Sequence, residues 1–316
     1  MSNFDRRTFI KHAAMAATTA ACFDIHQRLA TAIPPVVNCQ ATTHHPFFAN
    51  ATNTPEVIAH RGGNGQWPGE TMRAFRAASR LGVDILELDV FISRNGELIV
   101  MHDHEIDKTT AGKGVVNKLH SDYLQGLNAG HKWSPDGEHY PFRGKSVSDP
   151  NYRDLHVPRL REVLDEFRNA RMIIEMKKAN RSPAQALSRM ISEYGMKNKV
   201  LVASFEGKFM EEFRRLSPDV ATSFSLSKGD FDRLISGKKI SDDEVGQPRA
   251  IQLPFRFITD DIVRRSHERN IKVHAWTVND LEKMYRMWQV GVDGIITDYP
   301  GPLLALLGRE TGGAKS

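Results

Sequence analysis

The chain has 316 residues, of which 40% are hydrophobic and 26% are charged, and its formal net charge is +5. This composition excludes a disordered or collagen-like chain, and two cysteines are too few for a disulfide-stapled scaffold. The basic residues form no block with interleaved aromatics, and residues 1–32 hold part of the excess. We therefore expect a globular protein that binds no nucleic acid and has a weak attraction for anionic small molecules or a membrane surface.

Residues 1–32 predict an export signal. An Arg-Arg pair at 6–7 precedes an alanine-rich run at 13–21, and a small-x-small cleavage site ends at Ala32. This pattern is typical of bacterial twin-arginine signals, and the apolar run is too short to span a bilayer. We expect an exported, periplasmic protein. The alternatives are an amphipathic N-terminal helix, or a lipoprotein anchored through Cys22.

The remaining chain divides into a linker arm at 33–55, one folded domain at 56–308 and a flexible tail at 309–316. Short apolar runs predict strands at 57–60, 84–90, 172–177, 199–205, 220–225, 250–255, 272–278 and 294–298. Amphipathic runs predict helices at 71–81, 159–169, 183–194, 208–216, 231–235, 260–270 and 280–290. Eight strand–helix units of this length favour an α/β TIM (β/α)₈ barrel. A doubly wound sheet is the alternative fold.

One apolar segment, 98–102, follows the second strand too closely for a parallel crossover. The Asn-Gly pair at 95–96 instead predicts a hairpin, in which paired residue numbers sum to 190. This register places His102 beside the acidic residues of the second strand. Residues 105–157 then break the strand–helix alternation, and we expect them to form an insertion over the mouth of the barrel.

The ends of the predicted strands carry the candidate chemistry. Glu87 and Asp89 lie two residues apart on one strand, so both point to the same side. Two unpaired carboxylates inside a barrel are costly, and a divalent cation with oxygen ligands, Mg²⁺ or Ca²⁺, would relieve this cost. Glu175 can add a third carboxylate. The alternative is that these acids form ion pairs with Arg61 and Lys177.

Histidines at the same strand ends suggest proton transfer. His60 ends the first strand and His102 is predicted to lie near the carboxylates, so the two form a candidate acid–base pair. Arg61 and Lys177 could bind an anionic substrate. We expect His274, inside a strand, to be structural.

Several short motifs, each weak alone, follow one another in order. They are His60-Arg61-Gly62-Gly63, Glu87-Leu88-Asp89-Val90, His102-Asp103, Ile174-Glu175-Met176-Lys177, Trp276-Thr277-Val278-Asn279 and Gly294-Ile295-Ile296-Thr297-Asp298. Together they resemble the glycerophosphodiester phosphodiesterase family, over about residues 56–304.

The resemblance implies hydrolysis of glycerophosphodiesters to sn-glycerol 3-phosphate and an alcohol in a TIM barrel that uses one divalent cation, Ca²⁺ or Mg²⁺. It also implies the role of each site residue. Glu87, Asp89 and Glu175 would be metal ligands, His60 and His102 the general acid and base, Arg61 and Lys177 the phosphate-binding residues, and Trp276 the residue that packs on the glycerol or alcohol.

One motif departs from the family. Pro68-Gly69-Glu70-Thr71 stands where the family usually has Pro-Glu-Asn-Thr, and the sequence assigns no role to Glu70. Two other functions remain open. One is a lysophospholipase D or phospholipase that acts on lipids, and the other is an exported binding protein without catalysis.

Overall fold

The computed structural model describes residues 45–49, 54–225, 227–230, 232 and 245–309. The predicted export signal, most of the arm and most of the tail lie outside these residues. Most of the predicted helix at 231–235 also lies outside them.

The described residues form the predicted TIM barrel. Its strands are β1 (Glu56–Ala59), β2 (Ile85–Ile92), β3 (Leu98–Val100), β4 (Arg171–Met176), β5 (Val200–Ala203), β6 (Ala221–Thr222), β7 (Ala250–Pro254), β8 (Lys272–Trp276) and β9 (Gly294–Thr297). All except β3 are parallel, in the order β6-β5-β4-β2-β1-β9-β8-β7. A parallel bridge between Ser223 and Ala250 joins the two ends of this order. Every predicted strand is therefore confirmed.

Helices surround the strands. They are α1 (Met72–Leu81), α2 (Ser121–Gln125), α3 (Leu160–Glu166), α4 (Ala184–Glu193), α5 (Gly207–Leu216), α6 (Asp260–His267), α7 (Leu281–Val290) and α8 (Pro300–Leu306). Helix α1 shows the local rules, since the Thr71 hydroxyl caps its first turn and Gly82 ends it with a φ of 80°. The sequence did not predict α2 or α8. No helix in the described part of the chain is long and apolar enough to cross a membrane.

Alternation along β2 separates the apolar core from the site. Leu86, Leu88 and Val90 are buried in the cluster between the strands and the outer helices. Residues of the opposite parity point into the barrel, where Ile85 belongs to the interior cluster. At the carboxyl end of the same strand, this inward parity belongs to Glu87 and Asp89. The strand therefore changes from apolar to acidic along one face.

A short segment of the predicted arm closes the other end of the barrel. Residues Pro46–Phe48 form a 3₁₀ turn, and Phe47 and Phe48 are buried in the interior cluster. Arg171 donates to the carbonyl of Phe47 at 2.9 Å and pairs with Glu56 at 2.5 Å. This part of the arm therefore contributes to the core, which its lack of periodicity did not predict.

The hairpin has the predicted register. Val90 pairs with Val100 and Ile92 with Leu98, so the paired numbers sum to 190. Strand β3 ends at Val100, which places His102 in the loop that follows. The insertion then contains three 3₁₀ turns and α2, and it packs on β2 and β3 through its own apolar cluster.

His274 is structural, as predicted, and makes stability depend on pH. It is fully buried, and neither ring nitrogen has a hydrogen-bond partner among the described residues. Burial lowers the pKa of His274 from 6.5 to about 4. Between these values the unfolded chain binds a proton that the folded chain does not. Titration of His274 therefore leaves the free energy of unfolding unchanged above pH 6.5. As the pH falls from 6.5 toward 4, it lowers the free energy of unfolding by up to about 3 kcal/mol.

We expect His274→Leu to remove this part of the pH dependence. Urea unfolding of both proteins between pH 7 and pH 4.5 measures it, because other titrating groups cancel in the difference. The difference in free energy of unfolding should move in favour of the variant as the pH falls. A difference that stays constant with pH would contradict a neutral buried imidazole.

Candidate active site

A cavity of about 590 Å³ opens at the carboxyl ends of the parallel strands. This is the end at which TIM barrels carry their active sites. The eight residues predicted from the sequence all line it: His60, Arg61, Glu87, Asp89, His102, Glu175, Lys177 and Trp276. They come from β2, β4 and β8, from the 3₁₀ turn that follows β1, and from the loops that follow β3 and β4.

Three carboxylates meet on one side of this cavity. Asp89 on β2 lies directly opposite Glu175 on β4, and Glu87 precedes Asp89 on the same face. Each residue offers an oxygen such that all three oxygens lie within 4.8 Å of one another. Glu87 and Asp89 are buried. The arrangement concentrates negative charge where little water can screen it.

Two cationic side chains reach the same carboxylates. The Lys177 ammonium lies 2.9 Å from Glu175 and 3.4 Å from Asp89, and Arg61 Nε lies 3.5 Å from Asp89. The backbone amide of Arg61 also donates to Glu87 at 2.8 Å. The ion pairs considered as an alternative to a metal site are thus present, although three carboxylates face only two cations.

Arg61 reaches the carboxylates through an unusual turn. Residues His60–Gly62 form a 3₁₀ turn directly after β1, and Arg61 has the left-handed backbone angles φ 53° and ψ 33°. This conformation costs a non-glycine residue about 1–3 kcal/mol and is typical of functional sites. Gly62 is required next, because a Cβ there would lie 2.9 Å from Ala74 Cβ. The turn directs the Arg61 amide and side chain toward β2.

His60 is held by a carboxylate on the neighbouring strand. Its Nδ1 lies 2.6 Å from Asp298, which follows β9. Asn279 donates to the other oxygen of Asp298 at 2.6 Å and accepts from its backbone amide at 2.9 Å. His102 has a weaker partner, since its Nδ1 lies 3.1 Å from the half-exposed Asp103. The two histidines therefore differ in how firmly they are oriented.

The pKa values of these histidines move in opposite directions. Burial opposes protonation of His60, but its hydrogen bond to Asp298 and the charge of Glu87 raise its pKa above the ordinary value. Burial lowers the pKa of His102, and the charge of Asp89 only partly offsets this. A proton is thus held more firmly on the His60 ring than on the His102 ring.

The carboxylates show the cost of gathering charge. Burial and the charge of Asp89 raise the pKa of Glu87 to about 7 and also raise the pKa of Glu175. Burial also acts on Asp89, but Lys177 and Arg61 hold its pKa below the ordinary range. Positive charge is therefore still needed at Glu87 and Glu175.

A divalent cation fits this set of donors. The site offers carboxylate oxygens from Glu87, Asp89 and Glu175, the ligand type that Mg²⁺ and Ca²⁺ prefer. Asp89 Oδ2 is buried and accepts no hydrogen bond from a described residue, so it retains a lone pair for a ligand. These three residues are the ones that would hold the ion.

Sequence reasoning left Glu70 without a role, and the structure gives it one. Strand β1 ends level with Leu86, and the Asp89 amide beyond that point donates instead to Glu70 Oε1 at 3.0 Å. Burial and the charges of Asp89 and Glu87 raise the pKa of Glu70 well above its ordinary value. Glu70 is therefore a fourth buried acid, hydrogen-bonded to the backbone of one of the metal-ligand candidates.

The sequence places Asp298 at the end of the last predicted strand but assigns neither Asp298 nor Asn279 a role in the site. A usable signal was present, because closure of an eight-stranded barrel makes the last strand a neighbour of the first. A carboxylate after β9 must then stand beside the residue that follows β1, which is His60.

The side of the cavity around Trp276 is rich in apolar side chains, and Lys228, Asp230 and Gln252 also line the cavity. Trp276 meets Phe205 edge to face, with their ring centroids 6.0 Å apart, and Phe205 is 48% exposed. The other large apolar side chains on this side are Phe224, Ile251, Leu253 and Ile296. The cavity can thus hold a molecule with one charged end and one apolar end.

Comparison with known proteins agrees with this geometry. Residues 60–302 match the glycerophosphoryl diester phosphodiesterase family. A glycerophosphodiester phosphodiesterase of Caldanaerobacter subterraneus subsp. tengcongensis is 30% identical over 258 residues, which cover 79% of this chain and 97% of that protein.

Solved structures share the fold. A putative glycerophosphoryl diester phosphodiesterase from Silicibacter pomeroyi has a TM-score of 0.67 at 24% identity, covering 86% of this chain and 99% of that one. An Oleispira antarctica phosphodiesterase in complex with the product sn-glycerol-3-phosphate has a TM-score of 0.62 at 22% identity, covering 81% and 97% respectively.

The barrel, the strand-end carboxylates and these matches define the class of protein as a TIM-barrel phosphoric diester hydrolase. The chain belongs to the glycerophosphoryl diester phosphodiesterase family.

A divalent cation should stabilise the folded protein through this site. At one hundred times its dissociation constant, a ligand adds about 2.7 kcal/mol, which for a domain of this size raises the unfolding midpoint by roughly 5–10 °C. Glu87→Gln keeps the shape and the acceptor for the Arg61 amide but removes a ligand charge, so the shift should be lost.

Differential scanning fluorimetry with EDTA, Mg²⁺ or Ca²⁺ measures this shift. Glu193→Gln changes an exposed carboxylate on α4 and serves as the matched control, which should keep the shift. An equal shift in Glu87→Gln would place the cation elsewhere.

Proposed function

We propose that this protein hydrolyses glycerophosphodiesters to sn-glycerol 3-phosphate and an alcohol. The observation that carries the proposal is the meeting of three carboxylates, two cations and two histidines in one cavity. Family membership and the activity named for its relatives support the same reaction.

Metal dependence is part of the proposal. Glu87, Asp89 and Glu175 would hold one divalent cation, Ca²⁺ or Mg²⁺, which when bound supplies positive charge to the phosphoryl oxygens. Arg61 and Lys177 would bind the negatively charged phosphate, and the Arg61 guanidinium could form two parallel hydrogen bonds to it. Arg61 and Lys177 would then exchange their carboxylate contacts for the phosphate, and the cation would balance the carboxylates that they release.

His60 and His102 would move the protons. The oxygen of a water molecule forms a bond to phosphorus, and the bond between phosphorus and the alcohol oxygen breaks. One histidine accepts the proton of the attacking water while the other donates a proton to the leaving alkoxide. Asp298 holds Nδ1 of His60, which leaves Nε2 for the reacting oxygen. Trp276 would pack on the carbon part of the substrate.

Loss of either histidine should reduce turnover of glycerophosphocholine by about 10²–10⁴-fold, because each transfers a proton in the transition state. Release of sn-glycerol 3-phosphate, coupled to its dehydrogenase, measures the rates of wild type, His60→Ala and His102→Ala. The exposed insertion residue His139 provides the control variant, His139→Ala, which should retain wild-type activity.

Wild-type activity in both site variants would overturn the proposed roles. EDTA should abolish turnover in the wild type, and Mg²⁺ or Ca²⁺ should restore it. Absence of any product with each metal would favour the third candidate, an exported binding protein without catalysis.

A second candidate is a lysophospholipase D or phospholipase that acts on lipids. The observation in its favour is the apolar side of the cavity, where Phe205 and Trp276 could contact an acyl chain. The exposed Phe257 lies in the 3₁₀ turn directly after β7. Hydrolysis of lysophosphatidylcholine without hydrolysis of glycerophosphocholine would favour this candidate. The reverse result would favour glycerophosphodiesters without an acyl chain as the substrates.

We also propose that the protein is exported to the periplasm. The Arg-Arg pair at 6–7, the alanine-rich run and the site at Ala32 support a twin-arginine route, with a lipid anchor at Cys22 as the alternative. Retention of an Arg6→Lys, Arg7→Lys variant in the cytoplasm would support this route.

A further inference from the structure

Glu70, the residue that departs from the family motif, has a strained backbone. Its φ is 59°, and it is one of three non-glycine residues with a positive φ in the described part of the chain. The residue is also buried, with 5% of its surface exposed. Such a conformation is costly and persists only where surrounding contacts hold it. The contacts of Glu70 therefore indicate what the strained conformation achieves.

Hydrogen bonds of Glu70 join the loop after β1 to β2. Its backbone amide donates to the carbonyl of Arg61 at 3.0 Å, and its Oε1 accepts from the Asp89 amide at 3.0 Å. The Arg61 amide donates to Glu87 Oε2 at 2.8 Å, and Glu87 lies on the same strand as Asp89. These bonds close a ring, in which both backbone groups of the left-handed Arg61 are fixed, one by Glu87 and the other by Glu70.

Only one oxygen of the Glu70 carboxyl group takes part in this ring. Oε2 is buried and has no hydrogen-bond partner among the described residues. An amide oxygen at the position of Oε1 would accept the same bond from the Asp89 amide. The contact therefore depends on the length of the side chain and on one acceptor oxygen.

Loss of this acceptor would act on a metal-ligand candidate. Asp89 is 1% exposed, so its amide would be left as a buried, unpaired donor. A shift of β2 toward another acceptor would move the Asp89 carboxylate and open the ring at Arg61. Groups that orient metal ligands in this way determine cation affinity without touching the cation.

The neighbouring residue Thr71 stabilises the same loop by other contacts. Its hydroxyl donates to the carbonyl of Pro68 at 2.6 Å and accepts from the Ala74 amide at 3.1 Å. These bonds hold the loop on the first turn of α1, and neither partner lines the catalytic cavity. Thr71 thus holds the loop on the helix, whereas Glu70 connects it to the site.

We propose that Glu70 is a positioning residue for the cation site. Its side chain fixes the Asp89 backbone and its amide fixes the Arg61 turn, so the ligand and the phosphate-binding arginine keep their relative positions. The reach of the acceptor oxygen is decisive, and the charge of the carboxylate is not. This inference rests on the proposed function, because it concerns the cation and the phosphate of the same reaction.

Two conservative variants separate reach from charge. Glu70→Gln keeps the length and an acceptor oxygen but removes the charge, whereas Glu70→Asp keeps the charge and shortens the side chain by one methylene. Calorimetric titration of the metal-free, full-length protein with Ca²⁺, and separately with Mg²⁺, measures the dissociation constant of the cation. We expect Glu70→Gln to stay within about threefold of wild type, and Glu70→Asp and Glu70→Ala to bind about 10–100-fold more weakly. The comparison of Gln with Asp decides the question even if Glu70→Ala does not fold.

Thr71→Ala is the matched control, because it removes a buried helix cap from the same loop. It should lower the unfolding temperature and leave the dissociation constant of the cation unchanged. Wild-type affinity in Glu70→Asp would overturn this inference alone, and so would a loss in Glu70→Gln as large as that in Glu70→Asp. Absence of cation binding by the wild type would overturn the proposed metal dependence and this inference with it.

Discussion

Buried negative charge is the constraint on which the rest of this site depends. Glu87, Asp89 and Glu175 share one end of the barrel interior, and the buried Glu70 accepts a hydrogen bond from the Asp89 amide. Carboxylates at this depth are costly unless cations accompany them, and the two cationic side chains present do not complete the neutralisation. The need for further positive charge explains the fit of a divalent cation. Once a cation balances the carboxylates, the cationic side chains can pair with the negative charge of a phosphodiester.

Apolar packing elsewhere in the barrel offsets the cost of this buried charge. The outward residues of β2 pack against the helices, and the inward residues at the amino end of the barrel pack against Phe47 and Phe48. Unpaired acidic charge gathers where β2 and β4 reach the open end, whereas Glu56 at the other end of the barrel is paired with Arg171. The left-handed turn at Arg61 is a second local cost at the same place. The rim that carries the chemistry thus combines gathered charge with a left-handed turn, and the apolar layers below hold it in position.

Much of this arrangement could be read from the sequence. The short apolar runs and the strand–helix order predict the barrel. The Asn-Gly pair at 95–96 predicts the hairpin register, because a tight turn leaves one pairing. Placement of all eight predicted residues in one cavity followed from their positions at strand ends.

Other features depend on neighbours that sequence order does not reveal. The burial of Phe47 and Phe48 requires the open end of a barrel, and α2 is too short for a periodic signal. Glu70 gains its role only because β1 ends before the Asp89 amide. The insertion likewise makes contacts across long sequence distances, such as the hydrogen bond from the Trp133 indole to the carbonyl of Asn64.

A crystal structure of the protein with Ca²⁺ and sn-glycerol 3-phosphate tests the central claim most directly. The account predicts one cation bound by Glu87, Asp89 and Glu175, with the phosphate between Arg61 and Lys177 and within reach of His60 and His102. A cation or phosphate bound outside this cavity, with Arg61 and Lys177 still paired to Asp89 and Glu175, would contradict it.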